Sequence, residues 1–229
     1  MKIHGLQKMT LLDFPGHVAC TVFLGGCDLR CPYCHNYELA TGQAPPIMEE
    51  AELFSFLEKR KGLLDGVAIT GGEPCLHPDL PDFIGRIRAL GYPVKLDTNG
   101  THPAVLREVL ERGLVDYVAM DIKNCPNLYA ETCGLKFLDI NNIKKSISLI
   151  MNKAKDYEFR TTLVKEFHEK MDYDAFLNLI KGAKRLYLQK FVDREGCIKK
   201  GLHEVDVVEA NKLRDYLSSG IAEVNLRGY

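Results

Sequence analysis

The sequence lacks any apolar run approaching the roughly 20 residues that are needed to cross a bilayer. Its first residues, MKIHGLQKMTLLDFPG, also lack the long apolar centre of a secretory signal peptide. These two absences argue against an integral membrane protein and against an exported one. We therefore expect a chain that works in the cytoplasm and has no membrane partner.

An excess of one charge is also missing, because 30 lysines and arginines are balanced by 31 aspartates and glutamates. A protein that binds nucleic acid usually carries a basic face or stripe, so we expect no nucleic-acid partner here. No Ser/Gly-rich linker or low-complexity segment divides the chain. Since 46% of the residues are hydrophobic, the chain can bury a full core, and we predict a single domain over residues 1–229.

The sequence does contain eight cysteines. In a chain without an export signal, cysteines indicate thiol or metal chemistry rather than a disulfide framework. Only Cys27, Cys31 and Cys34 lie close together, in the order C-x3-C-x2-C. The other five are expected to be small buried hydrophobic residues: Cys20, Cys75, Cys125, Cys133 and Cys197.

The three clustered cysteines are one ligand short of a closed metal site. Three thiolates on a cubane cluster of four irons leave the fourth iron open to another ligand. A structural zinc site would need a fourth Cys or His, and the only neighbour available is His35, which directly follows Cys34. The spacing favours the iron–sulfur cluster, with structural zinc as the alternative.

Short apolar runs rich in β-branched residues alternate with longer segments of helical periodicity, as is typical of repeated βα units. The predicted strands are residues 18–26, 66–72, 93–100, 116–123, 158–164 and 185–192. The predicted helices are residues 48–61, 80–91, 103–113, 141–154, 173–184 and 205–219. We therefore predict an α/β fold, an open or partial (β/α)6-type barrel with parallel strands. In such folds the loops after the carboxyl ends of the strands carry the chemistry.

The segment LLDFPGHVACTVFLGGCDLRCPYCHN, residues 11–36, resembles the radical S-adenosylmethionine (SAM) superfamily and, within it, the activating enzymes of glycyl-radical enzymes. Tyr33 is the aromatic residue that precedes the last cysteine of that signature. The resemblance implies a radical SAM barrel in which a [4Fe-4S] cluster, held by Cys27, Cys31 and Cys34, binds SAM through its open iron. It also implies reductive cleavage of SAM and abstraction of a hydrogen from a glycine of a partner enzyme.

Length and the TLLDFPG opening most resemble the long form of the anaerobic ribonucleoside-triphosphate reductase activating protein. Pyruvate formate-lyase activating enzymes are the second choice, and a small-molecule enzyme similar to 7-carboxy-7-deazaguanine synthase is the third. The resemblance implies a flavodoxin- or ferredoxin-type electron donor. No residue is predicted as a general acid or base, because radical chemistry requires none and no His/Asp or Ser/His set is visible.

Three further motifs end predicted strands. In AITGGEP, Gly71 and Gly72 remove side chains where a backbone must approach a ligand, and Glu73 adds a carboxylate, although a Gly-Gly turn alone would explain them. The resemblance implies that this motif holds the amino group of SAM. Buried acids at two further strand ends suggest a ligand, a cation or a lysine partner. The residues concerned are Asp97 and Thr98 in LDTNG, and Asp121 and Lys123 in MDIK.

The resemblance to pyruvate formate-lyase activating enzymes implies that Asp97, Thr98 and Asp121 form a monovalent-cation site beside the SAM carboxylate. It also implies that Arg160 lies near the SAM carboxylate and ribose, where its guanidinium could bind a carboxylate with two hydrogen bonds. The alternatives are an internal pair of Asp121 with Lys123 and a surface ion pair of Arg160. Cys125 and Cys133 are too few to hold a second cluster, so we predict a single cluster in the whole chain. The irregular segment 123–136 is either a substrate-facing loop or a connection.

Overall fold

The computed structural model describes residues 1–193 and 197–229. Its sheet has nine strands in the order β3-β1-β2-β4-β5-β6-β7-β8-β9. The strands are β1 (Lys2–Thr10), β2 (Ala19–Leu24), β3 (Met48–Glu49), β4 (Gly66–Gly71), β5 (Val94–Thr98), β6 (Tyr117–Asp121), β7 (Tyr157–Leu163), β8 (Arg185–Lys190) and β9 (Glu223–Arg227). Within the described residues β3 and β9 are the two unpaired edges, so the sheet is open.

The helices connect these strands and cover the outer face of the sheet. They are α1 (Tyr37–Thr41), α2 (Glu50–Lys59), α3 (Leu80–Ala89), α4 (Pro103–Glu111), α5 (Tyr129–Thr132), α6 (Ile140–Lys153), α7 (Lys165–His168), α8 (Tyr173–Ile180) and α9 (Val207–Leu217). Several begin at local capping signals. Pro103 starts α4, and the Asp139 carboxylate accepts the Asn141 backbone N–H at the start of α6. In the described ranges no helix is long and apolar enough to span a membrane.

The predicted α/β architecture with an open, mostly parallel barrel is confirmed. All six predicted strands and all six predicted helices are present, and the parallel series runs from β2 through β4 to β9. The prediction missed β1 and β3, which add antiparallel pairings at one edge, and β9, which adds a parallel strand at the other. These strands carry a weak sequence signal because most of their residues are exposed or half-buried, as expected at sheet edges.

Alternation along the strands separates two environments. Residues on the outer face pack under the helices and are fully buried, as are Ile69, Leu96 and Phe159. The next residues along the same strands point to the inner face, and there the side chains include Lys95, Asp97 and Arg160. The apolar core therefore lies between sheet and helices, and polar groups line the barrel interior.

The segment between β1 and β2 closes the amino end of that interior. The Phe14 side chain is buried, lies 6.4 Å from the Tyr117 ring between ring centroids, and forms a small apolar cluster with Ala19, Tyr117 and Ala119. Asp13, one residue earlier, accepts a hydrogen bond from the Thr21 hydroxyl at 2.5 Å. The DFPG sequence thus supplies an apolar plug, which leaves the carboxyl ends of the strands as the open side of the barrel.

Candidate functional site

A cavity of about 680 Å³ lies at the carboxyl ends of the strands. Its walls include residues that end β4 to β7 and the cysteine loop that follows β2. Eleven of the twelve predicted site residues line it: Cys27, Cys31, Tyr33, Cys34, Gly71, Gly72, Asp97, Thr98, Asp121, Lys123 and Arg160. The structure therefore brings nearly all predicted residues to one place.

The cysteine loop, residues 25–36, is held by backbone hydrogen bonds on both sides. The Cys27 N–H donates to the Ala40 carbonyl at 3.1 Å, and the Cys34 N–H donates to the Cys31 carbonyl at 3.0 Å. On the far side, the Arg30 N–H donates to the Cys133 carbonyl at 2.9 Å. Because the three thiols face one cavity from a fixed loop, their donor chemistry fits the predicted iron–sulfur cluster.

His35, the fourth ligand that the zinc alternative would need, is engaged elsewhere. Its Nε2 lies 2.8 Å from the Val192 carbonyl oxygen, and its ring stacks on Phe191 with centroids 5.8 Å apart. Within residues 1–193 and 197–229, no group of three or more His, Cys, Asp and Glu is arranged to hold a single metal ion. Cluster thiolates bind different irons and need not converge on one point as the ligands of a zinc ion do.

Two distant cysteines reach the cysteine loop. The thiols of Cys31 and Cys133 are hydrogen-bonded, and the Cys197 thiol lies 3.9 Å from the Tyr33 carbonyl oxygen. All five non-clustered cysteines are buried, as predicted. The hydrogen bond from Cys133 and the charge of Lys123 outweigh burial and lower the pKa of Cys31 to about 7, whereas burial raises that of Cys27 to about 12. No motif predicts these contacts, since each of them joins separate loops.

The segment 123–136 is a connection packed behind the cysteine loop. It contains a short 3-10 turn and α5, and Cys125, Tyr129 and Cys133 within it are buried. A Cβ on Gly134 would overlap the Arg30 carbonyl oxygen. The buried residues of the segment thus pack against the cysteine loop, as a connection would, and a substrate-facing role of its exposed residues stays a prediction.

Gly71 and Gly72 are required for a steric reason that the sequence analysis did not include. Gly71 has φ of +130°, and a Cβ on it would overlap backbone atoms of Leu24. A Cβ on Gly72 would overlap the Gly26 carbonyl oxygen. The prediction that they also allow a backbone to approach a ligand stays a prediction. The backbone they admit is that of β2 and the cysteine loop, although both glycines also line the cavity.

Glu73 lies behind the cavity wall and is fully buried. Its carboxylate accepts hydrogen bonds from the Cys75 N–H at 2.9 Å, the Thr98 hydroxyl at 2.7 Å and the Asn99 N–H at 2.6 Å. Burial outweighs these donors and raises the pKa of Glu73 to about 7. In this arrangement Glu73 ties the loop after β4 to the end of β5, and its predicted contact with SAM stays a prediction.

A chain of alternating charges crosses the cavity floor between β5, β6 and β7. The Lys95 ammonium pairs with Asp97 Oδ1, and Arg160 Nη1 lies 3.2 Å from Asp97 Oδ2. Arg160 Nε then donates to Asp121 Oδ1 at 2.8 Å, and Lys123 Nζ donates to Asp121 Oδ2 at 3.0 Å. The internal Asp121–Lys123 pair is thus present, and Arg160 forms inward rather than surface ion pairs.

These neighbours set the protonation states of the network. Burial alone would raise the pKa of both aspartates, but the positive charge of Arg160, together with Lys95 or Lys123, lowers the pKa of Asp97 and of Asp121 below its usual range. The charge of Asp121 in turn raises the pKa of Lys123 against burial. The two aspartates, Arg160 and Lys123 are therefore ionised near neutral pH.

Two polar groups at the cavity stand out beyond this network. The Tyr33 hydroxyl is buried and has no hydrogen-bond partner among the described residues, so a bound ligand could supply one. Asn99, which lines the cavity, donates through Nδ2 to Asp28 Oδ1 at 3.2 Å and to the Cys27 thiol at 3.6 Å. Asn99 was not selected from the sequence, although the LDTNG motif contains it.

Known proteins resemble this chain along most of its length. A putative glycyl-radical enzyme activating enzyme of Methanocaldococcus jannaschii is 31% identical over 217 residues, which cover 93% of this chain and 89% of that protein. A pyruvate formate-lyase-activating enzyme of Clostridium pasteurianum is 34% identical over 128 residues, 54% of this chain and 52% of that protein. The crystal structure of Streptococcus suis SuiB bound to SAM superposes with a TM-score of 0.64 and 16% identity. That match covers 91% of this chain and 52% of the SuiB chain.

The family model of the radical SAM superfamily matches residues 21–186, which include the cysteine loop and β2 to the start of β8. This family uses a [4Fe-4S] cluster and SAM, and the three cavity-lining thiols fit the cluster. The C-x3-C-x2-C loop after β2, the open parallel barrel and the match over most of the chain agree with one another. The chain belongs to the radical SAM superfamily.

Proposed function

We propose that this protein activates a glycyl-radical enzyme by removing a hydrogen atom from a glycine of that partner. The observation that carries the proposal is the relative from Methanocaldococcus jannaschii, which is named for this activity and matches 93% of the chain. The three cysteines that line one cavity in the C-x3-C-x2-C order supply the site that such an activity needs. The partner we propose first is anaerobic ribonucleoside-triphosphate reductase, and the second is pyruvate formate-lyase.

In this proposal the cysteine loop holds the cluster and the cavity floor holds SAM. When bound, the cluster supplies the electron that cleaves SAM, and SAM supplies the hydrogen-abstracting group. Cys27, Cys31 and Cys34 bind three irons. Lys123 and Arg160 present positive charge to the ligand carboxylate, which a guanidinium and an ammonium both suit. Tyr33, Gly71, Gly72, Glu73, Asp97, Thr98 and Asp121 complete the proposed SAM pocket.

A protein substrate needs a way into the cavity, and the open edge of the sheet supplies room for one. Leu12 lines the cavity and is 90% exposed, and its neighbour Leu11 is also exposed. Exposed leucines beside a polar cavity suit contact with a protein segment rather than with water. The buried plug at Phe14 keeps the amino end of the barrel closed, so a glycine would enter from this edge or from the carboxyl end.

The test is anaerobic reconstitution of the cluster, reduction with dithionite or a reduced flavodoxin, and addition of SAM with each purified partner enzyme. We expect about four irons per chain, 5′-deoxyadenosine, and a glycyl radical on the reductase that electron paramagnetic resonance detects. Cys31→Ala should abolish all of these signals. Cys125→Ala is the matched control, because Cys125 is buried and does not line the cavity.

Three results would divide the alternatives. A radical on pyruvate formate-lyase and none on the reductase would keep the reaction but change the partner. SAM cleavage with neither radical would contradict glycyl-radical activation and favour a small-molecule substrate. Stoichiometric zinc without SAM cleavage would contradict the cluster assignment itself.

A further inference from the structure

The resemblance implies a monovalent cation held by Asp97, Thr98 and Asp121, and these three residues do not fit one in this chain. Each carboxylate oxygen of the two aspartates already faces a cationic nitrogen, from Lys95, Arg160 or Lys123. The Thr98 hydroxyl donates to Glu73 Oε1 at 2.7 Å and accepts from the Gly100 N–H at 3.0 Å. An added cation would therefore meet three like charges, and each carboxylate oxygen that it could bind already has a cationic partner.

Lys95 is the one member of this charge network that the sequence motifs did not single out. It stands two positions before Asp97 on β5, so its side chain points to the same face of the strand. Only 3% of the side chain is exposed, and its ammonium pairs with Asp97 Oδ1. A lysine is rarely buried to this extent without an anionic partner, so its placement depends on Asp97.

A tethered ammonium has the charge of a potassium or sodium ion and is always present beside its ligand. Binding of a free ion depends on its concentration in solution, whereas the Lys95 side chain reaches Asp97 from the same strand. The network then contains three positive groups and two carboxylates. The extra positive charge faces the cavity through Arg160 and Lys123, which suits the carboxylate of SAM.

We propose that the Lys95 ammonium takes the place of an inorganic monovalent cation beside Asp97, so that this protein binds SAM without such an ion. Lys95 acts as a positioning residue, since it holds Asp97 and, through it, Arg160. The inference rests on SAM as the ligand and not on the identity of the glycyl-radical partner. The two proposals can therefore fail separately.

The experiment measures SAM binding to the reconstituted, unreduced enzyme by isothermal titration calorimetry, in KCl and in choline chloride of equal concentration. The wild-type protein should give the same Kd within about twofold in both salts. Lys95→Met keeps the length of the side chain but removes the charge, which leaves Asp97 Oδ1 without its partner. Its Kd in choline chloride should be at least about tenfold weaker, and KCl should restore much of the loss.

A second measurement does not use the loaded enzyme. The thermal midpoint of cluster-free Lys95→Met should rise in KCl relative to choline chloride, while that of the wild type should not. Lys95→Arg should behave like the wild type because it keeps the charge. The matched control is Lys184→Met, since Lys184 pairs with Asp156 at 2.7 Å on an exposed surface away from the cavity.

A wild-type affinity for SAM that is severalfold higher in KCl than in choline chloride would overturn the proposal. This result needs only the wild-type protein, so the proposal can be tested even if Lys95→Met fails to fold. The proposal would also be overturned if Lys95→Met folds and its Kd for SAM and its thermal midpoint are the same in KCl and in choline chloride.

Discussion

Glu73 is buried and the pair of Asp97 and Asp121 is half-buried at neighbouring strand ends, yet the pKa values of these carboxyl groups move in opposite directions. Glu73 receives hydrogen bonds from neutral donors alone, and burial raises its pKa to about 7. The two aspartates face Lys95, Arg160 and Lys123, and the pKa of each is lowered despite burial. Burial therefore does not set the charge of this site, and the neighbouring groups decide it.

This contrast divides the cavity into two parts with different tasks. The Glu73 side joins loops through hydrogen bonds to Thr98 and Asn99, so it fixes the shape of the wall. The aspartate side holds a row of fixed charges that need no rearrangement when an ionic ligand arrives. A zwitterionic ligand such as SAM, with a carboxylate and an amino group, suits a wall of this kind.

The largest expected effect comes from Arg160→Met. Arg160 pairs with both aspartates, so its removal leaves two half-buried carboxylates with one partner each. We expect a loss of about 3 to 5 kcal/mol in the free energy of unfolding, measured by urea denaturation of the cluster-free protein near pH 7. Arg112→Met removes exposed ion pairs with Asp82 and Glu108 and should cost far less. An equal loss in the two variants would contradict the assigned importance of the network.

The second prediction concerns the pH dependence that Glu73 contributes. Its pKa is about 7 in the folded protein against a usual value of 4.5, so the folded state holds the proton more tightly. Stability from this group is complete below about pH 4.5 and falls as pH rises to about 7. The difference between these two pKa values corresponds to a loss of about 3 kcal/mol in the free energy of unfolding across that window.

Glu73→Gln should remove this decline, since glutamine does not titrate there. The measurement is the free energy of unfolding of wild type and variant at several pH values from 4.5 to 8. The exposed Glu58→Gln should keep the wild-type pH profile. A Glu73→Gln profile parallel to that of the wild type would show that another group causes the decline.

The smallest expected effect belongs to Thr98→Val, which tests the link between the two sides. Thr98 follows Asp97 on β5, and its hydroxyl donates to Glu73. Loss of that donor should cost about 1 to 3 kcal/mol and raise the pKa of Glu73 further. The stability decline should then extend to higher pH in the same urea titrations. Thr98→Ser keeps the hydroxyl and should stay close to the wild type, so a shifted profile in both variants would assign the effect to lost packing.

Sequence patterns alone were enough to predict the cysteine loop, the six central strands and the carboxyl-end positions of Gly71, Asp97 and Asp121. Each of these depends on spacing or periodicity over a short stretch, which local residue types specify. Strands β1, β3 and β9, at the two sides of the sheet, escaped prediction because their largely exposed residues lack the apolar alternation of central strands.

The contacts between these groups, by contrast, became known from the folded chain alone. The register of β5, β6 and β7 places Arg160 between two aspartates, and the packing of the 123–136 segment brings Cys133 to Cys31. The structure also shows that Gly71 and Gly72 allow the backbones of β2 and the cysteine loop to approach, and that the Lys95 ammonium pairs with the Asp97 carboxylate. Contacts of this kind depend on strand register and loop packing between residues far apart in the chain, and the spacing of residues within one motif does not encode them.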